Sequence, residues 1–295
     1  MDRFESVTGP NWPGIDCIKH LFVFGDSYSS VGYDQFTIQE HPHPSVDHPL
    51  GIPFPGHTWT DDSAGMGDEG MSENPNWVGH LVTSRRNAEK PIVVYDYAVG
   101  GHCVLDVRGQ IEDTFAGHVA SQPEWARWKG GNSLFVVWVG INDCAGPTPY
   151  EPIVKDLMGV VDLLYEMGAI NFLLIDVPPI DKSPAIPDSI LEERPELADD
   201  YKNWNALLHK HTKEFHTAHP KSTILMYSSY DLFTRVNQEP VKYGFAAKDV
   251  KRRRGPMWMD HLHPTSKMHK VIADDIEAFL KRFPAHKDNE PSLTP

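Results

Sequence analysis

The sequence has no apolar run near the roughly 20 residues that a membrane-crossing helix needs, and only three cysteines in 295 residues. The first absence removes a helical membrane protein. The second removes a small scaffold built on disulfides, which needs many paired cysteines. Basic residues are also scarce: 27 Lys and Arg stand against 41 Asp and Glu, a formal net charge of −14. Nucleic acid and anionic membrane would be repelled at long range, so neither is an expected partner. No Asn-x-Ser/Thr acceptor occurs, and the opening Met1-Asp2-Arg3-Phe4-Glu5 has no hydrophobic signal region. Together these features point to a cytoplasmic protein, unless the chain is the processed form of a secreted one.

What is present is a regular alternation. Short runs apolar almost throughout occur at Leu21–Phe24, Ile92–Tyr97, Leu134–Val139 and Phe172–Val177, with a weaker one at Ile224–Tyr227. Such runs suit parallel strands buried on both faces. Helical periodicity lies between them, at Trp77–Arg86, Val107–His118, Pro152–Met167 and Tyr201–His219. A last helix, from about Thr265 to Arg282, puts Ile272, Ile276, Phe279 and Leu280 on one face. The pattern predicts a three-layer α/β/α fold with a mostly parallel five-stranded sheet, in one domain over residues 1–283. Two stretches, 32–74 and 178–199, read as insertions. Both follow strands and so belong over the rim where such sheets bind ligands. The polar end, 284–295, reads as a frayed tail.

Chemistry-bearing residues gather at these strand ends. Ser27 follows the first strand in Phe24-Gly25-Asp26-Ser27-Tyr28-Ser29. Gly-Asp-Ser alone is a common tripeptide whose plain reading is a turn. After the second strand, Gly100 and Gly101 in Asp96-Tyr97-Ala98-Val99-Gly100-Gly101-His102 could free a backbone N–H toward an oxyanion. After the third, Gly140-Ile141-Asn142-Asp143 supplies a side-chain amide at the same rim. Near the end, Asp260 and His263 stand three apart on a turn, a spacing that lets the carboxylate fix the imidazole tautomer and frees the other nitrogen as a base. Each piece has an ordinary reading as turn or cap. Their common position past strand ends does not.

These segments resemble the four blocks of the GDSL/SGNH hydrolases, whose sheet is flavodoxin-like. Phe22–Tyr28 and Asn76-Trp77-Val78 look more specifically like the fungal acetyl esterases of carbohydrate esterase family 16. The resemblance implies Ser27 as nucleophile, His263 as base and Asp260 as its orienting acid. It implies an oxyanion hole from the N–H of Ser27, the N–H of Gly101 and the amide of Asn142. Gly100 is the alternative to Gly101, which is favoured by counting five positions on from the block's opening residue. That residue is Asp96 where the family usually has Asn, so a donor is lost there. The implied reaction is hydrolysis of acetyl esters of small carbohydrates such as acetylated xylo-oligosaccharides. The alternatives are a broader carboxylesterase or lipase, and a carbohydrate-binding protein on the same fold. The partner expected is a small-molecule ester met by a monomer, without cofactor or metal.

Asp26, His57, Trp59, His102 and His261 are expected at the substrate rim, and Trp12 and Trp77 have the aromatic character to stack on sugar, with core packing preferred for Trp77. Cys103 and Cys144 each lie two residues past a candidate oxyanion donor, leaving a bridge and free thiols both open. Other patterns carry less. Gly65-Met66-Gly67-Asp68-Glu69-Gly70 matches a dinucleotide fingerprint but follows no strand and is acidic. His41, His43, His48 and Asp47 read as loop residues before metal ligands. Lys251-Arg252-Arg253-Arg254 reads as a solvated loop, and no Gly-x-Ser-x-Gly elbow is present.

Overall fold

A parallel strand covered on both faces has no solvent side, so its residues lose the polar alternation of an exposed strand. The computed structural model shows this in five strands: β1 His20–Gly25, β2 Val93–Asp96, β3 Ser133–Trp138, β4 Asn171–Ile175 and β5 Thr223–Tyr227. It describes residues 3–33, 38–39, 41–60, 74–85, 89, 91–146 and 149–286. The dinucleotide-like Gly65–Gly70 stretch and the tail beyond residue 286 lie outside that set. All pairings are parallel, in the order β2-β1-β3-β4-β5. Register places Phe22 opposite both Tyr95 and Phe135. The three rings stack across the sheet, with centroids 4.8 and 4.6 Å apart.

The helices follow from this order. They are α1 Trp77–Arg85, α2 Val104–Gly109, α3 Ala116–His118, α4 Glu151–Glu166, α5 Asp188–Glu193, α6 Leu197–Ala218, α7 Ser229–Gln238 and α8 Ser266–Leu280. Between α2 and α3 the chain stays helical but widens to π geometry over Gln110–Phe115. The step from β1 to β2 runs toward one edge of the sheet and later steps run toward the other. Right-handed crossovers therefore put α1 on one face and α2, α4 and α6 on the opposite face. The contacts agree: α1 packs on α8, while α2, α4 and α6 pack in a row. In α8, Ile272, Ile276 and Leu280 are buried and Phe279 is partly so. Among the described residues no helix is long and apolar enough to cross a membrane.

The reversal of strand order lies between β1 and β3, where open α/β sheets leave a crevice beyond the strand ends. Ser27 follows β1 and Asn142 follows β3, so sheet order alone brings them to one crevice. The stretch 178–199 is more structured than expected of an insertion. It carries α5 and the start of α6, which begins at Leu197, not near Tyr201.

At the end of β4, the buried Asp176 ties the sheet to α7. Its carboxylate accepts from Ser228 Oγ at 2.6 Å, the Tyr230 N–H at 2.8 Å and Ser229 Oγ at 3.1 Å. Burial nevertheless outweighs these bonds and pushes the carboxyl up to about 7. An unfolded Asp titrates near 4, so between about pH 4 and 7 the folded chain holds a proton that the unfolded chain has lost. The stability this proton confers is complete below that window and falls as pH rises through it. Thermal midpoints of Asp176→Asn, measured from pH 4 to 7, should decline less steeply than wild type; parallel slopes would exclude the effect.

Candidate active site

The site is built on how the chain leaves β1. A Cβ at Gly25 would sit 2.1 Å from the carbonyl oxygen of Trp138 on β3, so only glycine fits. The turn that follows buries Asp26, whose Oδ1 accepts the Tyr28 N–H at 3.0 Å. The sequence pattern puts Asp26 at the substrate rim; at 1% exposure it is instead an internal brace of the turn that carries Ser27. Burial raises its carboxyl to about 7, despite the Tyr28 N–H and the nearby His263. Asn76 holds the far side of the turn. Its Nδ2 donates to the carbonyls of Ser29 and Ser30 at 2.8 and 2.9 Å, while its Oδ1 accepts the Val78 N–H at the start of α1. The buried Trp77 donates its indole N–H to Ser29 Oγ at 3.1 Å, so it belongs to the core.

Ser27, His263 and Asp260 meet across 236 residues of sequence. Ser27 Oγ lies 2.9 Å from His263 Nε2, and His263 Nδ1 lies 2.7 Å from Asp260 Oδ2. The other oxygen, Oδ1, accepts the N–H groups of Leu262 and His263 at 2.6 and 2.7 Å. Burial alone would raise the Asp260 carboxyl. The hydrogen bond and charge of His263, with the two backbone N–H groups, outweigh it and hold the group well below the usual carboxylate range. An ionised Asp260 requires its partner Nδ1 to carry the hydrogen, leaving Nε2 as the acceptor facing Ser27.

Unpaired N–H donors lie past the ends of β1, β2 and β3. Among the described residues the N–H groups of Ser27, Gly100 and Gly101 donate to no protein acceptor. Gly101 is exposed and has φ +82°, and a Cβ built there meets nothing within 4 Å. Gly100 differs, for a Cβ would come within 2.9 Å of the Trp59 indole. Asn142 Nδ2 gives one hydrogen to the His102 carbonyl at 2.9 Å, which leaves its second free to point elsewhere.

Gln110, the first residue of the π-helical turn, joins the site without any cue in its sequence surroundings. Its Oε1 accepts the Gly25 N–H at 3.0 Å, and its Nε2 donates to the Gly25 carbonyl at 2.8 Å and lies 2.9 Å from His102 Nδ1. The pairing with Gly25 fixes the amide's orientation, so its remaining hydrogen points at His102. His102 Nδ1 must then accept, and the neutral ring carries its hydrogen on Nε2. A glutamine on a helix has no local signature of such a role.

The rim residues divide. Trp59 stacks on His263, with centroids 5.2 Å apart and planes 26° from parallel. His57 and His261 are exposed and His102 is half-buried. Trp12 is fully buried and donates its indole N–H to the Phe283 carbonyl, which removes it as a stacking platform for sugar. His43 lies flat on Trp125 at 3.6 Å. All three cysteines are free thiols, and burial pushes Cys103 up to about 11 and Cys144 further.

A family model described as GDSL-like Lipase/Acylhydrolase matches residues 21–276. The chain belongs to the GDSL family. This GDSL protein is a carboxylic ester hydrolase, the chemistry for which a serine, histidine and aspartate in hydrogen-bonded series is suited. It is 29% identical over 286 residues to an acetylesterase of Thermothelomyces thermophilus, covering 88% of this chain and 87% of that one. Among solved structures it shares its fold with LAE5, an alpha/beta hydrolase enzyme from the metagenome of Lake Arreo, Spain. That match has a TM-score of 0.55 at 15% identity, over 92% of this chain and 98% of the other. It also shares it with an acetyl xylan esterase of Geobacillus stearothermophilus, at TM-score 0.53 and 14% identity, over 92% and 96%.

Replacing Gln110 by Leu would leave the buried Gly25 N–H without its partner, at about 1–3 kcal/mol, while the Gly25 carbonyl would keep the Val99 N–H at 3.2 Å. Urea unfolding of Gln110→Leu should show a loss of about 1–3 kcal/mol; a midpoint equal to wild type would show that the clamp adds nothing.

Proposed function

We propose that this GDSL hydrolase is an acetylesterase of small carbohydrate esters, such as acetylated xylo-oligosaccharides, acting through an acyl-enzyme on Ser27. The observation that carries the reading is the unbroken series Ser27 Oγ, His263, Asp260, with contacts of 2.9 and 2.7 Å. In it, Ser27 attacks the ester carbonyl as His263 Nε2 takes its proton, and Asp260 stabilises the imidazolium. The oxyanion is received by the N–H groups of Ser27 and Gly101 and the free amide hydrogen of Asn142. His263 then gives its proton to the departing alcohol oxygen. Water attacks the acyl-enzyme with His263 again the base, releasing the acid and regenerating Ser27. No step draws on a cofactor or a metal.

Two features support the short acyl group. The relative from Thermothelomyces thermophilus bears the name acetylesterase. Trp59, packed on both His263 and Gly100, narrows the space between the base and the oxyanion donors.

Acetate release from acetylated xylo-oligosaccharides tests the proposal. Ser27→Ala should reduce turnover to background, and Asn142→Ala should lower kcat on the order of a hundredfold with little change in KM. Undiminished hydrolysis by Ser27→Ala would overturn the mechanism. A preference for octanoate over acetate among nitrophenyl esters would overturn the substrate.

A further inference from the structure

Beside Asn142 and the His263 loop opens a cavity of about 610 Å³, within the range that holds small-molecule ligands. Its walls come from three places. Ile141 and Asn142 follow β3, His261 and Leu262 immediately precede His263, and the 178–199 insertion with the start of α6 supplies Arg194, Glu196, Asp200 and Tyr201. The volume far exceeds what an acetyl group occupies.

We infer that this cavity is the alcohol subsite: it takes the sugar part of the ester, a mono- or disaccharide with free hydroxyls, leaving the acetyl group outside it. The inference rests on the esterase reading of Ser27 and His263, and direction follows from proton transfer. The oxygen that leaves must receive its proton from His263 Nε2, so the alcohol departs on the His263 side of the tetrahedral carbon. Trp59 stacks against the His263 ring and touches Gly100. The two residues that lead into His263 instead form a wall of the cavity.

The lining suits a polyol. Arg194 presents a fork of donors, Glu196 and Asp200 present acceptors, and the Tyr150 and Tyr201 hydroxyls can do either. Arg194 and Glu196 pair at 3.1 Å, both mostly exposed, so the pair can be opened by sugar hydroxyls at small cost. Ile141 and Leu262 offer apolar faces to the ring's C–H groups. An acyl chain would leave these charged groups without a partner in the ligand, whereas a sugar uses them.

Three esters separate the possibilities: ethyl acetate, ethyl butyrate and acetylated xylobiose, each with wild type, Ala185→Trp and Arg194→Ala. Ala185 lines the cavity, and the indole would fill part of it. Ala185→Trp should lower kcat/KM for acetylated xylobiose at least tenfold and leave ethyl acetate and ethyl butyrate within twofold of wild type. Arg194→Ala, an exposed change that tests the same wall without crowding the fold, should raise KM for acetylated xylobiose severalfold at unchanged kcat. A selective loss on ethyl butyrate would make the cavity an acyl pocket and overturn the inference. Equal effects on all three esters, or none on acetylated xylobiose with either variant, would overturn it as well. Ethyl acetate hydrolysis that survives in Ser27→Ala would instead refute the esterase reading beneath it.

Discussion

The site depends on the departure of the chain from β1, where backbone meets backbone. Gly25 lies against the Trp138 carbonyl so closely that no side chain fits, and Gln110 grips both its polar groups. A buried backbone N–H and C=O must be paired, and here the Val99 N–H just past β2 reaches only the carbonyl, at 3.2 Å. The helix supplies the missing partner by widening to π geometry at Gln110, a distortion that often marks functional positions. With Gly25 pinned, the direction in which Asp26 and Ser27 leave the sheet is set before any substrate arrives.

The remaining groups are carried to that point by topology and by loops that satisfy themselves. Sheet order puts the ends of β1 and β3 on either side of the crevice. Asp260 has one oxygen committed to the backbone of its own loop and the other to His263. The loop's shape and the imidazole's orientation thus share one residue. Asn142 is steadied by the His102 carbonyl, while the His102 ring answers to Gln110. Asn142, His102, Gln110 and the turn that carries Ser27 therefore belong to one connected set of hydrogen bonds, in which the position of each member limits its neighbours.

Much of this is legible in the sequence, for physical reasons that also explain what is not. Parallel strands buried on both faces are apolar throughout, so β1 to β4 announce themselves. The helices of strong periodicity do as well. α7 passes unnoticed because only Leu232, Phe233 and Val236 form its buried stripe, within otherwise polar residues. α5 has no buried residue at all, hence no pattern to find. The Ser27, Asp260 and His263 set is recognisable because short local spacings encode each piece. Gln110 is not, since its function lies in a contact 85 residues away. Asp26 and Trp12 mislead in the opposite sense: a carboxylate beside a nucleophile and a tryptophan near a terminus look available, and tertiary packing buries both.

The stacking of Trp59 on His263 bears on a different quantity, the charge that the ring acquires during turnover. In the proposed reaction the imidazole becomes a cation each time it takes the serine's proton, and again when water attacks. The electron-rich face of an indole attracts such a cation, by about 0.5–2 kcal/mol depending on solvent exposure, and it attracts the neutral ring less. Trp59 thus favours the protonated form that exists only on the way through the reaction, from the face of the ring, while Asp260 favours it from the edge. The indole would act as a second counter-ion made of π-electrons, one that needs no formal charge and that acid cannot neutralise.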